Sequence, residues 1–195
     1  MAFHLLLKSS SPWQGAVQLT FADYNQSVLE LATIPNLLLT WHFALSGVAP
    51  PPVGDLEITP ELLSRFVSDL SRKDIHVSGI SGAWNHAFNG LVRPFDHPQR
   101  GRATETIVLA SETIYSPASI RAFCDTLLSV LGQGKAFGGT AIAFIAAKRI
   151  YFGVGGGVDE CLRILGELGG EAKMIWETED TGVGRVIMQV TKEHD

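Results

Sequence analysis

The stretch that most limits what this chain can fold into is residues 140–147, TAIAFIAA, which carries no charge and no helical period. A continuous apolar run of this length is the mark of a strand covered on both faces, as inside a parallel sheet. Residues 16–21, 75–80 and 105–110 are further short strand-like runs, the last read as a buried strand. Helical patterns lie between them, over 27–45, 60–70, 85–91, 117 to about 131, and 158–168. Strands alternating with helices call for a mostly parallel sheet with helices on both faces. The chain closes on two successive strands, 172–176 and 185–191, joined by the turn-forming Asp180-Thr181-Gly182, and this predicts an antiparallel hairpin. The fold class is α/β, in one domain over residues 1–195, with a Pro-rich insertion at about 46–74 that contains Pro50, Pro51 and Pro52.

Punctuation supports this division. Residues 2–8 read as the last turns of a helix stopped by Ser9, Ser10, Ser11 and Pro12. Over 27–45, Val28, Leu31, Ala32, Leu38 and Leu39 share a face, with Pro35 interrupting. Pro60 sits near the first position of a helix whose stripe is Leu63, Phe66, Val67 and Leu70. Ser116 and Pro117 are an N-cap and a first helical residue.

Composition removes several function classes. A net charge of −5 argues against nucleic acid as a direct partner, because phosphate binding needs a basic surface. It tolerates a basic protein partner. Cys124 and Cys161 lie in apolar helical stretches and read as buried free thiols, and no ligand spacing suits a metal. The six histidines show no metal spacing, and no Ser-His-acid or Cys-His order is readable, which disfavours hydrolysis. The first residues lack the features of a signal peptide, and no apolar run approaches a membrane span of roughly 18–20 residues. The expectation is a soluble chain of the cytoplasm, with the nucleus as a second compartment.

Ligands of open α/β sheets bind at the carboxyl ends of the strands. Three strand ends here carry conspicuous side chains. Asp23, in Ala22-Asp23-Tyr24-Asn25, is either a carboxylate for the ribose hydroxyls of a nucleotide cofactor or a loop residue capping the next helix. Trp84, after Gly82 and Ala83, either packs on an adenine face or belongs to the core. Glu112 and Tyr115, in Ser111-Glu112-Thr113-Ile114-Tyr115, stand where a carboxylate beside an apolar strand needs a reason to be there. The loop 152–157 approaches the dinucleotide pattern G-x-G-x-x-G, but its sixth place is Val158 and it lies near the end of the chain. A nicotinamide cofactor is therefore rejected there. Its glycines serve either close backbone approach beside a substrate channel or a flexible turn.

Four blocks of the sequence resemble one family. FADYNQSVLELATIPN is similar to the D-Y-N and T-x-P-N segments of the histidine protein methyltransferases. ISGAWN resembles their S-G-E-W segment, with Ala83 in place of the acid. LASETIYSP and AAKRIYFGVGGGV resemble their S-E-T-I-Y-x-P and A-S-K-x-x-Y-F-G-V-G-G-G-V blocks, and all four occur in the family's order.

The resemblance implies a Rossmann-like seven-strand methyltransferase sheet and S-adenosyl-L-methionine as methyl donor. It also implies a histidine of a large-subunit ribosomal protein as acceptor. By the family pattern Asp23, Tyr24, Gly82, Trp84 and Ser111 bind the cofactor, Asp23 at its ribose and Trp84 at its adenine. Glu112 and Tyr115 stand at the methyl-transfer end as the catalytic candidates, and the loop 152–157 faces the protein substrate. No metal is implied. The family's first, central strand and its E-x-G-C-G type loop are not found ahead of residue 16. The expected sheet therefore lacks that strand, and the chain alone is expected to transfer methyl groups weakly or not at all. The alternative is a non-catalytic remnant that acts as a protein-binding domain.

Overall fold

The computed structural model describes residues 2–8, 15–46, 53–92, 104–136, 139–178 and 184–192. The breaker at 9–12, the three prolines at 50–52, the loop expected at 93–102 and the turn at 180–182 lie outside or almost wholly outside them. The chain divides into two compact units, Met1–Gly82 and Ala83–Asp195.

The first unit contains α1 (Ala2–Lys8), β1 (Val17–Asp23), α2 (Gln26–Val28), a π-helical turn (Leu29–Thr33), α3 (Ile34–Ser46), α4 (Pro60–Arg72) and β2 (Ile75–Ser81). β1 and β2 pair in parallel from Val17↔Ile75 to Asp23↔Ser81. Alternation along β1 sends Val17, Leu19 and Phe21 against a core of Phe3, Leu7, Leu37, Leu38, Trp41, Leu70 and Ile75. The opposite face is polar, with Thr20 and Ser78 hydroxyls 3.0 Å apart.

Three expectations change in this unit. Pro35 does not interrupt its helix. It has no N–H for the carbonyl four residues back and its ring crowds that carbonyl, and the wider π turn just before it relieves both, so the helix runs from Gln26 to Ser46. This 21-residue helix, with an 18-residue window of mean hydropathy 1.3, is long and apolar enough to cross a membrane by length and composition alone, contrary to the expectation that no stretch would qualify. The stripe of α4 is also rotated from the one expected. Leu70 is buried and Leu62 and Phe66 pack on the core, while Leu63 and Val67 are exposed. The start of α4 is as read: the Thr59 side chain accepts the Leu62 N–H at 3.2 Å, with Pro60 following.

The second unit contains α5 (His86–Leu91), β3 (Glu105–Ser111), α6 (Pro117–Ala136), β4 (Thr140–Lys148), α7 (Val158–Glu167), β5 (Gly170–Glu177) and β6 (Arg185–Lys192). Its sheet runs β3-β4-β6-β5, with β3 and β4 parallel and β6 antiparallel to both its neighbours. The expected hairpin is β5–β6. One face of the sheet, including Ala143, Ile145, Val186, Met188 and Val190, shares a core with Ile120, Cys124, Leu131, Cys161 and Leu165 from α6 and α7. Cys124 and Cys161 meet there with sulfurs 3.8 Å apart and both thiols fully buried. The hydrogen bond to Cys124, together with burial, pushes the Cys161 thiol up, so it stays protonated and packs as a small apolar group.

The strand at 105–110 is not buried on both faces. Among the described residues β3 is an edge strand paired only with β4, and Ile107 and Leu109 are 62% and 65% exposed. The cross-strand partners of these two are Ile142 and Phe144, so the face of β3 and β4 opposite the core is apolar too. This is why the run at 140–147 lacks the polar alternation of a half-exposed strand, although the second face of β4 is only partly covered.

Candidate functional site

In the first unit, parallel pairing brings Asp23 and Ser81 level, so the strand ends carrying Asp23, Tyr24 and Gly82 are neighbours. The Gly82 N–H donates to the Asp23 carbonyl at 3.2 Å, and a Cβ at Gly82 would meet nothing within 4 Å. The Asp23 Oδ1 accepts the N–H of Asn25 at 2.8 Å, a local turn and not a cap on the helix beyond. Its second oxygen accepts no hydrogen bond among the described residues. Tyr24 is exposed.

In the second unit, Ser111 ends β3 opposite Ala146, and the chain turns sharply at Glu112. Glu112 has φ of 55°, in the left-handed region that a side chain normally avoids, while its N–H donates to the Ala146 carbonyl at 3.0 Å. Such strain persists where the surroundings hold it, and it gathers at functional sites. The turn then buries Ile114 completely and leaves Tyr115 half exposed.

Against this turn lies the glycine loop that follows β4. A Cβ on Gly156 would stand 2.3 Å from the Tyr115 carbonyl oxygen and 2.6 Å from that of Ile114, so only glycine fits there. The loop is closed by its own backbone: Val154 and Gly155 N–H groups both donate to the Tyr151 carbonyl, and Tyr151 N–H donates to that of Gly156. Close approach, and not flexibility alone, is the work of these glycines.

Between turn and loop stands Tyr151, which sequence reasoning passed over. Its hydroxyl accepts the Lys148 backbone N–H at 3.1 Å. Its ring meets that of Tyr115 edge-on with centroids 6.4 Å apart. Burial, with smaller contributions from Glu112, raises the Tyr151 hydroxyl above its ordinary value. Arg185 completes the cluster, 4.0 Å from the Glu112 carboxylate. The antiparallel register Lys148↔Arg185 puts it there, and nothing in the local sequence signals it. Tyr151 had a signal: it is a tyrosine inside the glycine-loop block, next to the strand end.

Trp84 packs edge-to-face on Phe88 and Phe123, with ring centroids 4.8 and 6.0 Å away, and sits half-buried against the core of the second unit. The structure thus forms two groups. Asp23, Tyr24 and Gly82 stand together in one unit, and Ser111, Glu112 and Tyr115 stand together in the other. Among the described residues, no three His, Cys, Asp or Glu side chains converge as metal ligands.

The chain as a whole is similar to proteins of known name. A Saccharomyces cerevisiae protein named histidine protein methyltransferase 1 is 34% identical over 157 residues, 74% of this chain and 40% of its own length. The Schizosaccharomyces pombe protein of that name is 33% identical over 178 residues, 90% of this chain and 49% of its own length. The chain belongs to the histidine protein methyltransferase family. A Mus musculus homologue of the family is 27% identical over 183 residues, covering 92% of this chain and 45% of the homologue. The chain thus spans about half the length of the curated relatives it matches. No protein-family model matches. A solved structure described as a pericyclic reaction enzyme aligns over 99% of this chain and 47% of its own, at a TM-score of 0.44 and 11% identity.

Proposed function

We propose that this chain supplies strand ends of a protein-histidine N-methyltransferase that uses S-adenosyl-L-methionine and acts on a histidine of a basic protein. By resemblance that protein belongs to the large ribosomal subunit. The observation that carries the reading is the junction of two family blocks: Gly156 is pressed against the backbone of the Ser111–Tyr115 turn, and the ring of Tyr151 meets that of Tyr115 edge-on. In the same reading the fold is of the Rossmann-like seven-strand methyltransferase kind, which the parallel pairs β1–β2 and β3–β4, each within its own unit, support.

The residues present fit a nucleoside ligand. Asp23 keeps a carboxylate oxygen for ribose hydroxyls, and open space borders Gly82. The bound donor supplies an electrophilic methyl group. The chain's own task is to hold the acceptor. An imidazole has an ordinary pKa near ~6.5, so much of it is neutral at pH 7 with a lone pair available, and no strong base is needed. Tyr115 offers a half-exposed aromatic surface for the acceptor ring. Glu112 offers a carboxylate to stabilise the positive charge that the ring carries after transfer, and alignment of this kind supplies roughly 7–11 kcal/mol of barrier reduction. The cytoplasm and the nucleus are the compartments that accompany this function.

Calorimetric titration with S-adenosyl-L-methionine tests the reading. Binding is expected, and Asp23→Ala should weaken it at least about tenfold, the loss of a charged hydrogen-bond acceptor. Binding of a basic protein with no response to the nucleoside would instead establish the protein-binding remnant. Recovery of a tagged chain in membranes would contradict the compartments and turn attention to the helix Gln26–Ser46.

A further inference from the structure

Two thiols in the second unit have no part in the proposed methyl transfer. Cys124 lies two turns into α6 and Cys161 in the first turn of α7, and their sulfurs stand 3.8 Å apart. That is sulfur–sulfur contact, and a disulfide of ~2.05 Å needs each sulfur to move inward by only about 0.9 Å. Both residues are fully buried. Burial keeps bulky thiols and other chains away, so the fate of either sulfur on oxidation is decided by the thiol beside it. The two also differ in character. The hydrogen bond from Cys161, which outweighs burial, and the nearby Arg121 charge hold the Cys124 thiol below its ordinary value, whereas Cys161 keeps its proton.

Their placement couples the pair to the candidate site. α6 begins at Pro117, just after Tyr115, and α7 begins at Val158, directly after the glycine loop. The Cys161 N–H donates to the Gly157 carbonyl at 3.2 Å, so fixing Cys161 also holds the last residue of the loop. Gly156, one residue earlier, is the glycine pressed against the Tyr115 carbonyl.

We propose that Cys124 and Cys161 are a redox pair which hydrogen peroxide closes into a disulfide, stapling α7 to α6 and stiffening the glycine loop against the Ser111–Tyr115 turn. The Cys124 thiolate attacks one peroxide oxygen, the O–O bond breaks, and hydroxide leaves with the electron pair to become water. The Cys161 sulfur then attacks the sulfenic Cys124 sulfur, the S–O bond breaks, and the departing hydroxide takes the Cys161 proton. The two thiols give up two electrons and two protons, and the peroxide becomes two waters. A dithiol reductant reverses the step. Nothing in it depends on the methyltransferase reading.

The full chain, treated with hydrogen peroxide and then alkylated in denaturant, tests this by mass. The chain has two cysteines, so the intact mass is unambiguous. The expected product takes up no alkylating agent, is lighter by two hydrogens, and yields the tryptic segments 122–135 and 150–163 joined until dithiothreitol is added. Closing a loop of this span should lower the unfolding equilibrium constant on the order of a hundredfold, and hydrogen exchange over 150–157 should slow with it. Cys161→Ala, which removes the resolving thiol, should instead leave a sulfenic acid at Cys124 that dimedone captures. Two alkylated thiols, a dimedone adduct in the wild type, or a disulfide between two copies of the chain would each overturn the inference. So would a closed disulfide with unfolding and exchange unchanged, because the staple would then hold nothing. If Cys161→Ala does not fold, the wild-type mass and exchange measurements decide the matter alone.

Discussion

In residues 83–195, nineteen buried side chains join into one apolar cluster between a four-stranded sheet and the helices α6 and α7. In residues 1–82, seven gather around Trp41, whose indole N–H ends on the buried Asp69 at 3.0 Å. A two-stranded sheet hides little surface and is marginal by itself, so the smaller unit leans on helices and on a polar anchor. Asp69 accepts from Trp41 and Arg72 and pairs with Lys73 at 3.1 Å. The larger unit holds no buried carboxylate among its described residues, and Glu112 at the end of β3 is exposed. Stability by apolar burial leaves the strand ends available for chemistry, whereas a buried carboxylate spends its oxygens on structure.

Leu165→Ala should show the contrast most strongly. The side chain is fully buried, and its removal should destabilise the second unit by about 2–5 kcal/mol in denaturant unfolding. A loss below about 1 kcal/mol would mean that the cluster is looser than its burial implies. Trp41→Phe keeps most of the apolar volume and deletes the indole N–H. It should cost about 1–3 kcal/mol, the range for stripping a partner from a buried polar group.

Acid should also separate the units. Burial pushes the Asp69 carboxyl up, but hydrogen bonds from Arg72, Trp41 and Lys73 outweigh it and hold the group below its ordinary value. A depressed native value contributes stability above the unfolded value, about 3.9, and that contribution is lost as pH falls through the native one. Unfolding of the first unit should therefore become acid-sensitive below about pH 4, and Asp69→Asn should abolish that component. Acid sensitivity unchanged in Asp69→Asn would assign it to other carboxylates.

The smallest effect separates stability from function within the second unit. Glu112→Gly relieves a left-handed residue at some entropic cost, and should stabilise by about 0.5 kcal/mol in denaturant unfolding while lowering any methyl transfer under the proposed role of Glu112. Loss of stability there would show that the contacts of the Glu112 side chain, such as Arg185 at 4.0 Å, outweigh the backbone strain.

The motifs themselves were legible in the sequence. Asp23, Glu112, Tyr115 and the glycine loop each stand beside a strand end that local pattern could place, and the pairings confirm those strand ends. Burial was less legible. The run at 105–110 looks buried because Ile107 and Leu109 are apolar, and residue type cannot report whether a neighbouring strand or helix covers them. The stripe of α4 failed for a related reason: 3.6-residue spacing admits Leu62 or Leu63 as the inward residue, and only the packing partner chooses.

The order of strands and helices, the glycine loop and the family were determined by sequence alone, since each depends on local spacing or on kinship. Tertiary structure decided that Pro35 is passed through by a π turn, that β3 is an edge among the described residues, and that Tyr151 reaches Tyr115 and Arg185 reaches Glu112. Those outcomes depend on which residues meet across 36 or 73 positions of chain, as Tyr151 does with Tyr115 and Arg185 with Glu112. Chain neighbours carry no information about such meetings; the register of β4 on β6 and the close approach of Gly156 to Tyr115 do.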